Sequence, residues 1–105
     1  MTDDRRWQLL EDARPLLLEA FAEKGVVRIE FVGAFPELDS IGVWLCTASD
    51  GQRDVLDRPV LGEAVRRILL RVGFTPEELG DLATVVESQE TVDRDYEGSW
   101  YYAMR

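Results

Sequence analysis

The apolar residues change period at Gly25, and that change constrains the fold before any other feature does. Over residues 4–24, Trp7, Leu10, Ala13, Leu17 and Phe21 recur at helical spacing, with Gln8, Asp12, Glu19 and Glu23 opposite. Pro15 falls on the polar side, so the helix either kinks there or restarts with Pro15 in its first turn. Gly25 suits the position just past a helix end. From Val26 to Val32 the pattern becomes alternation. Val27, Ile29 and Phe31 point one way and Arg28 and Glu30 the other, as in a half-buried strand.

GAFPELDS, residues 33–40, reads as a loop. IGVWLCTA, Ile41–Ala48, is almost wholly apolar and predicts a central strand. Ser49–Gln52 reads as a turn. A second helix is expected from Pro59 to Val72, with Leu61, Ala64, Ile68 and Val72 inward, widened by Val65 and Leu69. Arg66, Arg67, Leu70 and Arg71 lie on the other side, and Gly73 ends the helix. Thr75-Pro-Glu-Glu78 matches a capping box and predicts a short helix to about Gly80. Two further strands, Ala83–Val92 and Ser99–Met104, would pair as a hairpin across Asp93–Gly98. The expected order is α-β-β-α-(α)-β-β. It describes one α+β domain over residues 1–105, a two-layer sandwich whose four-stranded, mostly antiparallel sheet carries helices on one face.

Composition narrows the function. A chain of 105 residues with nearly half its residues apolar can bury a modest core without staples. The net charge of −9 argues against nucleic acid and anionic membrane surfaces, because both require a basic face. Charge is uneven. Residues 76–100 hold eight carboxylates against Arg94 alone, whereas residues 53–75 are net basic through Arg53, Arg58, Arg66, Arg67 and Arg71. The N-terminus lacks a secretion signal and no apolar run approaches the ~18 residues of a membrane span, so a cytoplasmic location is expected. Eleven arginines against one lysine suggest a GC-rich bacterial source.

The one stretch that resembles chemistry is DRDYEGSWYY, Asp93–Tyr102. Asp93, Asp95 and Glu97 followed by Gly98 match the first half of a calcium loop, but the twelfth position, where a bidentate glutamate should close the shell, is Met104. No metal site is expected. Catalysis lacks parts as well. The chain has no histidine, and Cys46 lies within an apolar strand, where cysteine behaves as a small hydrophobe. No phosphate loop or nucleophile elbow is present, so neither an enzyme nor a cofactor is expected.

Binding remains. Trp100, Tyr102 and Met104 would face the core, whereas Tyr96 and Tyr101 would stand outside beside Asp93, Asp95 and Glu97. Aromatics flanked by carboxylates suit a protein interface, with the acids steering a basic partner. Trp44, out of phase with Ile41, Val43 and Leu45, would point to the face the helices leave bare. The expected function is therefore a small, acidic, non-enzymatic protein-binding domain, of the kind exemplified by bacterial immunity proteins. Its contact residues would be Asp93, Asp95, Tyr96, Glu97, Tyr101 and Trp44. A homodimer formed through the bare sheet face is the alternative, and a contact between the basic and acidic segments of two copies is a further one.

Overall fold

The computed structural model describes residues 2–33 and 41–103. The long N-terminal helix α1 spans Thr2–Phe21 without interruption at Pro15, whose ring lies on the exposed side, so it does not restart there. One turn of 3-10 helix, Ala22–Lys24, ends at Gly25, which takes a left-handed φ of 90°. Strand β1 follows at Val26–Gly33 and pairs antiparallel with β2, Ile41–Thr47.

The inward phase of β1 differs from strict alternation at its start. Its register slips between Val26 and Arg28, so Val26 is buried and Val27, expected inward, is exposed. One extra residue in the strand turns its side chain outward, and Ile29 and Phe31 then regain the expected face.

After β2 the predicted turn at Ser49–Gln52 is the start of a short helix, α2, Asp50–Asp54. Ser49 and Gln52 exchange side-chain-to-backbone bonds there as a capping box. Helix α3, Arg58–Val72, begins with Asp57 accepting from the Val60 amide and ends at Gly73, whose φ is 129°. Its fully buried stripe is Leu61, Val65 and Leu69. Ala64, Ile68 and Val72 lie at the edge of the contact. The Thr75–Glu78 bonds form as predicted, but the segment stays a turn. Glu78 is engaged further by Arg5 at 3.1 Å and Arg6 at 2.8 Å, which tie the start of α1 to this turn. Burial works against the Glu78 anion, but the Thr75 amide and the two arginines together hold its carboxyl below its ordinary value.

Strand β3 covers Ala83–Ser88 and lies parallel to β2. The sheet therefore has three strands in the order β1-β2-β3 and is mixed, not four-stranded and mostly antiparallel. A crossover through α2 and α3 brings the chain back to the same end of the sheet, which forces a parallel pair. The predicted strand Ala83–Val92 stops at Ser88, because Ser88 caps a new helix, α4, Gln89–Asp95, by accepting from the Thr91 amide. The predicted strand Ser99–Met104 is also absent as far as it is described. Trp100–Ala103 form a single helical turn, α5, and Met104 lies outside the described residues. The C-terminal hairpin is thus two short helices joined by a turn.

Helices α1 and α3 seal one face of the sheet. Leu10, Leu17, Val43, Leu45, Val65 and Leu69 are among the residues with no measurable exposure, and burying each contributes roughly 1.5–3 kcal/mol before entropy is counted. The other face is not bare. Cys46 of β2 packs against Val92 of α4 and Trp100 of α5, with Trp44 and Ala103 at the margin. Helices therefore lie on both faces, which replaces the two-layer expectation. The strip left open beside them carries exposed Val32 and half-buried Trp44 and Val85. No helix among the described residues is long and apolar enough to cross a membrane.

Candidate functional site

Parallel strands β2 and β3 end side by side, and each runs straight into a capped helix. The two helix starts are therefore neighbours, and a charged network joins them. The Asp50 carboxylate accepts from the Ser88 hydroxyl, from Thr91 Oγ1 at 2.7 Å and from Arg94 Nη1 at 3.1 Å. Arg53 donates to Glu87 at 2.7 Å and to Thr91 Oγ1 at 2.8 Å. Glu90 accepts from the Asp50 amide at 2.8 Å. Hydrogen bonds from Ser88, Thr91 and Arg94 hold the Asp50 carboxyl well below the usual carboxylate range. Glu87 and Asp54 raise Arg53, and Asp50 raises Arg94. All three groups stay charged at any physiological pH.

This network positions α4. A second tie comes from Trp100, whose indole N–H donates to Gln89 Oε1 at 2.7 Å, while the Gln89 amide donates to Asp93 at 2.8 Å. The indole also lies against the Arg28 guanidinium, 5.8 Å from the ring centre. Beyond α4 the chain reverses tightly. The Val92 carbonyl accepts from the Tyr96 and Gly98 amides, both at 2.9 Å. The reversal needs left-handed backbone at two successive residues, Glu97 with φ 55° and Gly98 with φ 79°. Glycine takes that conformation freely. Glutamate takes it at a cost of roughly 1–2 kcal/mol.

The outcome is an acidic knuckle. Asp95, Tyr96, Glu97 and Tyr102 surround a shallow, open concavity, and Asp93 is exposed beside it on α4. Tyr96 is 37% and Tyr102 51% exposed. The sole cation in this segment, Arg94, reaches Asp95 at 3.3 Å and Asp50 at 3.1 Å, so its charge is spent within the chain. Glu97 makes no hydrogen bond or ion pair with any described residue.

The structure thus brings Asp93, Asp95, Tyr96 and Glu97 together on one projection. Trp44 lies elsewhere, half-buried beside the Cys46 cluster, and faces away from α1 and α3 as its phase implied. The Tyr101 side chain lies outside the described residues. Tyr102 was expected in the core and is exposed, because a helical turn separates residues 100 and 102 by ~200° where a strand would align them. Trp100 is buried, at 6% exposure. The Asp93-x-Asp95-x-Glu97 oxygens do not converge, and no group of three metal-ligating side chains assembles among the described residues. Burial pushes the Cys46 thiol up to about 12, so it carries no thiolate at neutral pH.

Sequence reasoning missed the Asp50 network. Two signals were available. Ser88 precedes Gln-Glu-Thr as an N-cap would, and Arg94 stands alone among eight carboxylates. Comparison of the chain with protein-family models, with curated proteins and with solved structures gave no match.

Proposed function

We propose that this chain is a small, acidic, protein-binding domain of the inhibitor or immunity kind. It acts by docking the knuckle Asp93–Tyr102 onto a basic patch of a partner protein, and no turnover is involved. One observation carries this reading. Glu97 holds a carboxylate with no partner among the described residues on left-handed backbone, at a position where glycine or asparagine would be more stable. Strain retained for an exposed, unengaged side chain points to a contact outside the molecule.

The surroundings support the same use. Tyr96 and Tyr102 offer large rings that order at little entropic cost, and the carboxylates around them steer a cationic surface into place. The Asp50 network and Trp100 fix α4, so little freedom is lost on docking. The lone, buried cysteine is compatible with the cytoplasm.

The test is affinity capture from the source cell with the native chain and with the D93N/D95N/E97Q variant. The native chain is expected to retain a basic protein that the variant loses, with an association rate that falls as salt is added. Equal retention by both chains removes the knuckle from the interface.

A further inference from the structure

On the opposite side of the sheet, the outer surfaces of α1 and α3 meet in a groove. It consists of two adjoining hollows that share Ile68 and Arg71, one lined further by Leu16, Glu19 and Ala20 of α1 and the other by Ala64 and Arg67 of α3, and Arg67 and Arg71 stand one helical turn apart. Most of the described arginines are engaged within the chain. Arg5, Arg6, Arg14, Arg28, Arg53 and Arg94 each hold a carboxylate. Arg66 donates to the Leu79 carbonyl. Arg67 and Arg71, like Arg58 and Lys24 elsewhere on the surface, are exposed and form no ion pair with any described residue, and Glu63, one turn before Arg67, does not pair with it. Acidic residues outnumber basic ones 21 to 12, so acidic neighbours are plentiful and an unneutralised basic rim is notable.

We infer that this groove receives the acidic knuckle of a second copy of the chain. Both halves of the contact are present in one molecule. The groove has an apolar lining and two guanidinium groups with no carboxylate partner among the described residues. The knuckle has two exposed tyrosine rings among Asp93, Asp95 and Glu97, of which Glu97 engages no described residue. Tyr96 and Tyr102 would lie on Leu16, Ala20 and Ile68, with the carboxylates against Arg67 and Arg71. Glu19 on the α1 rim repels those carboxylates and so sets which way the knuckle enters. Knuckle and groove lie on opposite faces of the sheet, so one copy cannot fill its own groove. The contact is head-to-tail and each chain offers both ends, so assembly can continue beyond a dimer. Each copy carries −9 overall, but at physiological salt the Debye length is ~8 Å, and the docking faces respond mainly to the charges at the contact. The association is therefore weak and concentration-dependent.

This inference rests on the knuckle being a binding surface, and the experiment separates the two claims. Sedimentation equilibrium is run on the native chain, on D93N/D95N/E97Q, on R67Q/R71Q, and on an equimolar mixture of the two variants. The average mass of the native chain is expected to climb above 12.0 kDa with concentration. Either variant alone should associate at least roughly tenfold more weakly, as loss of charge-assisted contacts implies. The mixture should recover association and stop at a dimer, because each variant retains only one complementary end. A native chain that stays monomeric overturns the inference and leaves capture of a basic protein by the knuckle untouched. Association that survives in R67Q/R71Q but not in D93N/D95N/E97Q overturns the groove alone. A monomer whose Arg67 and Arg71 NMR signals shift on adding a synthetic acidic amphipathic helix assigns the groove to a foreign segment instead of a second copy. Thermal melting of each variant checks that the fold is kept.

Discussion

The two faces of the sheet are sealed by different physics. On the α1/α3 face, fifteen of the described residues form one continuous buried apolar cluster, and the stabilisation is non-directional area burial. On the α4/α5 face, among the described residues, the buried apolar cluster is Cys46, Val92 and Trp100, and further hold comes from the Asp50–Ser88–Thr91–Arg94–Arg53 network. The first face responds mainly to side-chain volume. The second responds to geometry and protonation, because a polar network is worth its full value only when every member is satisfied. The knuckle is built on the second face, so the surface proposed to bind is mounted on the less redundant half of the molecule.

Leu45→Ala should have the largest effect, about 4 kcal/mol, because it opens a cavity between the sheet and both long helices. Denaturant unfolding should remain a single transition with a lowered midpoint. Trp100→Ala should cost about 3 kcal/mol, since it removes most of the second cluster and leaves Gln89 without its donor. Here amide exchange should accelerate in α4 and α5 while β2 stays protected. Uniform acceleration would show that the two faces form one cooperative unit, and the contrast would fail.

Acid should distinguish the faces next. The Asp50 carboxyl is depressed in the folded chain, so its contribution is complete above the ordinary value of ~3.9 and is lost as pH falls below that toward the folded value. Exchange in α4 should therefore rise on acidification before exchange in β2 does. Asp50→Asn should show raised α4 exchange already at neutral pH and little further acid response. An unchanged α4 profile in that variant would remove the network from its assigned role.

The smallest effect has the opposite sign. Glu97→Gly should stabilise the chain by about 1 kcal/mol, by relieving left-handed strain, while weakening capture of the partner. A stabilised variant that binds equally well would leave the strain without a function.

Much of the first face was legible in the sequence. The helical spacing of Leu10, Ala13, Leu17 and Phe21 and the alternation of Ile41, Val43 and Leu45 map directly onto the buried set. The second face was not. Glu87-Ser-Gln-Glu-Thr91 is polar on both faces of a strand and carries no period, and the Ser88 hydroxyl, accepting from the Thr91 amide, caps a helix there instead. Trp100 and Tyr102 inherit that switch, one turning inward and the other outward. The candidate contact residues Asp93, Asp95, Tyr96 and Glu97 stand out as a group in the sequence, because charge and aromatic content do not depend on conformation. Their scaffold was misread as a hairpin, since aspartate and glycine serve a strand turn and a helix end equally well.

The sequence by itself determined the class of the domain, the core of its α1/α3 face and the sign of its C-terminal segment. Hydrophobic period and net charge are local properties that can be read along the chain. Only the tertiary structure decided that β3 runs parallel to β2, that α4 and α5 close the second face, and that Asp50 meets Ser88, Thr91 and Arg94 some forty residues away. Those outcomes depend on where a crossover returns the chain. Pairings between distant residues leave no periodic trace in the segments that make them.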